Sequence, residues 1–168
     1  MTMAHFNATI RRTNPVNLTK TMVLTIMILI LPAMQWLWAA TYTWYGATPP
    51  IVTHGDVVTL GGVPAGTLTV PPGATVTIDG LVTGVTAGIT LDIGLGATVQ
   101  WNADFQAETT ANASYCVNLS GSGTLAVSTC TISNTRSGGA INVSGAGTTV
   151  TVGAGATVSS GGTVPRRR

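Results

Sequence analysis

From residue 67 onward the chain alternates apolar and polar positions in short runs broken by glycines. Side chains on an extended strand point to opposite faces in turn, so each such run predicts a strand with one apolar face. Four segments share one plan: an alternating strand, a Gly-rich turn and a second alternating strand. The first joins residues 67–70 to 75–78 through Gly73, and the second joins 90–93 to 98–101 through Gly94 and Gly96. The third joins 116–119 to 124–127 through Gly121 and Gly123, and the last joins 140–143 to 149–152 through Gly145 and Gly147.

The segments align column by column. In the first strand Leu68, Leu91, Val117 and Ile141 share one column, and Val70, Ile93, Leu119 and Val143 share another. In the second strand the columns are Val76, Val99, Leu125, Val150 and Ile78, Trp101, Val127, Val152. All sixteen positions are apolar. One unit of this kind cannot bury its apolar face alone, whereas stacked units can. The pattern therefore predicts an all-β fold, a short right-handed parallel β-helix (solenoid) of about four turns. Its third side falls on the less regular segments 81–87, 103–112, 129–136 and 154–159. An antiparallel sandwich has no reason to repeat column for column.

Upstream the pattern changes. Residues 1–20 carry Arg11, Arg12 and Lys20 and no acid, and an apolar run from Met22 to Leu31 follows, then Pro32 and residues 33–40 with Trp36 and Trp38. Basic, apolar and small-residue regions in that order predict an N-terminal apolar export helix. It is read either as a signal peptide cut near Ala39 or Ala40 or as an uncut anchor, with Trp36, Trp38 and Trp44 as an interfacial belt. The expected domains are residues 1–40 as signal peptide or anchor, 41–65 as linker and N-terminal cap, 66–164 as solenoid and 165–168 as a basic tail. Secretion or a place at the cell surface follows, with membrane contact only through residues 21–40.

Charge narrows the partners. Charged residues make up 7% of the chain, and between residues 41 and 165 the single base Arg136 faces Asp56, Asp79, Asp92, Asp104 and Glu108, a net charge of −4. Such a body offers nothing to a phosphate backbone, which excludes nucleic acid as an expected partner.

The stretch from Cys130 to Val143 contains Asn134 followed by Gly138, Gly139, Ala140 and Ile141. It resembles the repeat of bacterial polymorphic outer-membrane proteins and related autotransporter adhesins, in which an Asn-containing strand end is paired with Gly-Gly-Ala-Ile. The Gly-Ala-Thr-Val runs at Gly73, Gly96 and Gly155 are similar to those of β-helical passenger domains. The resemblance covers about residues 60–160 and implies a surface protein of the adhesin type, either free-standing or a fragment of a longer passenger.

Candidate chemistry is sparse. Cys116 and Cys130 are the two cysteines. In an exported chain they read either as a disulfide, contributing about 3 kcal/mol through loop closure, or as free thiols with Cys116 on the outward side. A polysaccharide hydrolase would need two carboxyls, for which Asp79 and Asp104 are the best pair, with Asp92 on another side. A lyase would need a base where only Arg136 is present. His54 and Asp56 read as an exposed loop at the N-terminal edge. No catalytic residue, metal ligand or cofactor is expected.

Surface recognition is the remaining class. Thr75, Thr98, Thr124 and Thr149 form one outward column, the candidate surface-binding ladder, while its neighbour reads Thr77, Gln100, Ala126 and Thr151. Ice binding would need both columns complete. Thr69, Asp92, Asn118 and Asn142 are expected to form a stacked polar ladder. Asn112, Asn118 and Asn142 each open an Asn-x-Ser sequon. The expected function is a structural, adhesin-like binding protein without catalysis, for a glycan or an extracellular protein. A polysaccharide-active β-helix enzyme and an ice-binding Thr ladder are the alternatives. The open ends of a short stack also predict self-association.

Overall fold

A computed structural model describes residues 39–109 and 114–161. The export segment, the basic tail and Asn112 lie outside the described residues, apart from Ala39 and Ala40.

The described residues fold as a parallel β-solenoid of about four turns. Each complete turn contributes a strand to three faces. The leading face stacks β3 (Gly66–Val70), β5 (Ile89–Ile93), β8 (Tyr115–Gly121) and β11 (Gly139–Val143). The middle face carries the first half of β4 (Thr75–Val85), then β6 (Thr98–Trp101), β9 (Thr124–Val127) and β12 (Thr149–Val152). The trailing face carries the second half of β4, then β7 (Asp104–Ala107), β10 (Thr131–Asn134) and β13 (Thr157–Ser160). Every pairing is parallel, as chain that always travels the same way around a coil requires.

β4 runs through the corner between two faces without a break. Gly80 makes this bend: its φ is 110°, and a Cβ there would stand 2.5 Å from the Leu60 carbonyl oxygen. Only a residue without a Cβ tolerates both conditions.

The middle face continues two strands further toward the N-terminus. β1 (Thr41–Trp44) pairs with β2 (Val57–Leu60), and β2 pairs with β4. The segment read as linker and cap thus contributes two strands of its own. Trp44, assigned to a membrane belt in the anchor reading, is fully buried instead, with its indole N–H donating to the Gly46 and Ala65 carbonyls. It seals the N-terminal end of the core.

Of the sixteen apolar columnar positions, the twelve in the first three turns are buried. The four in the last turn are not: Ile141 and Val150 are partly covered, and Val143 and Val152 are about half exposed. Nothing among the described residues stacks above them. In the second turn Trp101 and Phe105 meet edge to face, ring centroids 6.1 Å apart, across the corner between middle and trailing faces.

Candidate functional site

The outward threonine column exists as expected. Thr75 is opposite Thr98, Thr98 opposite Thr124, and Thr124 opposite Thr149, each pair in register on adjacent strands of the middle face. Strand pairing spaces these hydroxyls about 4.8 Å apart. The neighbouring column runs Val57, Thr77, Gln100, Ala126 and Thr151, so an apolar residue stands at two of its rungs. Thr77 Oγ1 donates to Gln100 Oε1 at 3.4 Å.

The polar ladder on the leading face differs from expectation. Thr69 is opposite Asp92, but Asp92 is opposite Ser120, and Asn118 is opposite Thr90. Two ladders result: Thr67, Thr90, Asn118 and Asn142, and beside it Thr69, Asp92 and Ser120. Between the second and third turns the register is displaced by two residues from the sequence alignment. A slip of two keeps every side chain on its own face, so the apolar pattern cannot detect it. Both ladders are bonded along the stack. Asn142 Nδ2 donates to Asn118 Oδ1 at 3.2 Å, and Ser120 Oγ donates to Asp92 Oδ1 at 3.2 Å.

The two candidate carboxylates fall on adjacent turns but on different faces. Asp79 lies on the middle face opposite Thr59, and Asp104 opens the trailing face opposite Leu81. The two are thus out of register by two residues, on either side of the Gly80 corner. Asp104 Oδ1 accepts the Thr131 N–H at 2.7 Å, a bond from one turn to the next. Asp79 Oδ1 is buried without a hydrogen-bond partner. Among the described residues no three His, Cys, Asp or Glu side chains are grouped to hold a metal ion.

His54 and Asp56 do not form an exposed loop. Asp56 is fully buried; its Oδ1 accepts the Ala40 N–H at 2.8 Å, and its Oδ2 accepts the Thr53 N–H at 2.7 Å and the Thr53 hydroxyl at 3.1 Å. His54 Nδ1 accepts the Thr75 N–H at 3.1 Å. Both residues anchor the N-terminal rungs.

The cysteines are unbridged, contrary to the disulfide reading, and both are buried. Cys116 points inward rather than outward, because Cys116 and Val117 are buried in succession where β8 departs from strict alternation. Its thiol donates to the Ser133 carbonyl at 3.1 Å, and the Cys130 thiol donates to the Trp101 carbonyl at 3.3 Å. Desolvation pushes the Cys116 thiol up to about 11. Cys130 is also raised, first by burial and further by the nearby charge of Asp104.

Asn134 ends β10 at the entrance to a corner and is nearly fully buried. Its Nδ2 donates to Thr109 Oγ1 and to the Gly139 carbonyl, and its Oδ1 accepts the Arg136 N–H at 3.0 Å. Gly138 packs so tightly that a Cβ would collide with Thr109 Oγ1, Asn134 Nδ2 and the Ser114 carbonyl. The spacing of Asn134 to Gly138 and Gly139 is thereby explained as corner chemistry. A shallow groove of about 290 Å³ also lies at the N-terminal end of the leading face, lined by Pro49, Pro50, Ile51, Val52, Thr67, Thr69 and Pro71.

No family model, curated protein or solved structure matches the chain.

Proposed function

We propose that the chain is an exported, non-catalytic solenoid that presents a rigid polar surface to a glycan or an extracellular protein. The observation that carries this reading is the unbroken column Thr75, Thr98, Thr124 and Thr149. Hydroxyls fixed at one-rung spacing on a hydrogen-bonded frame lose little freedom when a ligand binds, so several weak contacts add without a large ordering cost. An extended partner can use successive rungs. The bonded ladders of Asn118 with Asn142 and Asp92 with Ser120 offer a second polar strip on the leading face. The basic-then-apolar order of residues 1–40 supports export, and the Asn134 corner, which resembles the repeat of polymorphic outer-membrane proteins, supports an adhesin-like role.

The test is binding of the full chain to a glycan array and to immobilised extracellular proteins. Thr98→Lys and Thr124→Lys should abolish the interaction, whereas Gln106→Lys on the trailing face should not. Binding indifferent to both threonine substitutions, with an unchanged circular dichroism spectrum, would remove the ladder from the site. Cleavage of a polysaccharide by the chain would replace the reading with an enzymatic one. N-terminal sequencing of the exported product tests export itself and separates a cut near Ala40 from an intact anchor.

A further inference from the structure

The first strand of the leading face borders a groove on one side instead of another strand. β3 is the edge of its sheet, with β5 as its partner. The Val70 carbonyl accepts the Gly94 N–H. Backbone groups alternate sides along a strand, so Gly66, Leu68 and Val70 turn their N–H and C=O toward β5. Thr67 and Thr69 turn theirs the opposite way, into the groove they line. Ala65 has the same sense, and its N–H is taken up by the Gly46 carbonyl. Among the described residues nothing bonds the N–H and C=O groups of Thr67 and Thr69.

The sequence explains why they are left over. Residues 49–52 pass beside β3 without forming a strand. Pro49 and Pro50 have no N–H to give it, so the rung that would continue the leading face is not completed. The gap is the groove of about 290 Å³. Pro49, Pro50, Ile51 and Pro71 give it apolar sides, and Thr67 and Thr69, exposed on β3, add hydroxyls beside the unpaired backbone groups. No charged side chain lines it, and Asp92 stands one rung away, opposite Thr69. An apolar lining with a few fixed polar groups is the make-up of a small-molecule site, and this volume lies near the lower limit for one.

We propose that this groove holds one uncharged sugar ring, a single pyranose unit of a glycan. The proposal rests on the glycan branch of the proposed function and gives it a second place, separate from the threonine column. A pyranose carries hydroxyls that both donate and accept, which matches the N–H and C=O groups that Thr67 and Thr69 present together. Its C–H face suits the proline and isoleucine carbons, where contact removes apolar surface from water. The Asp92 carboxylate one rung away repels an acidic sugar and so selects a neutral one. An extended peptide also matches an edge strand. Residues 49–52 stand where such a chain would lie, however, and the groove is too small for a strand of several residues.

Amide-resolved NMR on the full chain tests the proposal. In the free protein the Thr67 and Thr69 amides should exchange with deuterium far faster than those of Leu68 and Val70, which β5 holds. Titration with glucose, galactose, mannose and N-acetylglucosamine should shift the Thr67 and Thr69 signals saturably for at least one of them, with a Kd on the order of 1–10 mM. Glucuronic acid should bind at least about tenfold more weakly. Thr69→Trp and, separately, Ile51→Asp alter exposed side chains, so the fold should survive, as circular dichroism would verify. Each should weaken the sugar by about tenfold or more. Thr98→Lys should leave this binding unchanged, so the groove and the threonine column fail independently. Slow exchange at Thr67 and Thr69 in the free chain would mean that the protein fills its own groove, and would overturn the proposal. So would no shift with any of the four sugars, equal binding of glucuronic acid, or binding that both groove variants leave intact.

Discussion

Asn134 Nδ2 donates to the Gly139 carbonyl oxygen at 3.3 Å, tying the end of β10 to the start of β11 across a corner of the coil. The same amide bonds Thr109 one turn below, so a single buried side chain braces one corner and links it to its neighbour. Asn134→Ala leaves those partners unsatisfied in a site closed to water. It should lower unfolding stability by about 1–3 kcal/mol. Gly138→Ala should have a loss of similar size, about 1–3 kcal/mol, since a methyl group there meets three polar atoms at once. Urea titration of both variants checks this, and a change below 0.5 kcal/mol (about the scale of an ordinary surface substitution) would argue against a bracing role.

Trp44 and Val152 separate the closed end from the open one. Truncating the buried Trp44 to Ala removes the seal over the first rungs and should cost about 3–5 kcal/mol. Truncating the half-exposed Val152 should cost far less, roughly 0.5 kcal/mol or below. Thermal unfolding of the two variants beside the wild-type chain gives the comparison.

The Cys116 thiol is held protonated by desolvation, at about 11 against an ordinary 9.0. The folded state therefore keeps its proton over a range in which the unfolded chain has lost it. By linkage, the stabilisation is full below pH 9, declines as pH rises from 9 and is gone above about 11. Cys116→Ala should flatten that part of the stability profile. The native protein at neutral pH should also react with a thiol reagent only after denaturation, when both cysteines become accessible thiols. Fast labelling of the native chain would contradict the buried placement.

Arg136 and Glu108 form an ion pair at 3.3 Å between adjacent turns, with both side chains well exposed. Solvent screening leaves such a pair little to contribute. Arg136→Ala should change stability by less than about 1 kcal/mol, and added salt should have little effect on the wild-type midpoint. A larger loss would show that the pair contributes more than its exposure implies.

Alternation and repetition were enough to read the solenoid. Leu68, Leu91, Val76, Val99 and Trp101 point inward because the side chain after each one is polar, and a period of two leaves no other arrangement for a half-buried strand. The Thr75, Thr98, Thr124 and Thr149 column was legible for the same reason, since a glycine-containing turn precedes each second strand. The strands before residue 66 were missed. β1 and β2 are four residues each and are separated by a proline-containing segment that no repeat frames.

What only the tertiary structure decided depends on distances between turns. Asp92 faces Ser120 rather than Asn118 because a displacement of two residues leaves the apolar pattern unchanged while altering every partner. Cys116 points inward because β8 buries two successive residues, a local departure that alternation cannot forecast. Trp44 serves as a seal because the chain returns beneath the first turn, a closure set by where β2 pairs with β4. Cys116 apart, the sequence by itself determined which side chains of the repeat face in and the number of turns. Which polar groups become neighbours, and which end of the stack is closed, were decided when the turns came into register, because inter-strand hydrogen bonds fix partners that a repeating pattern leaves equivalent.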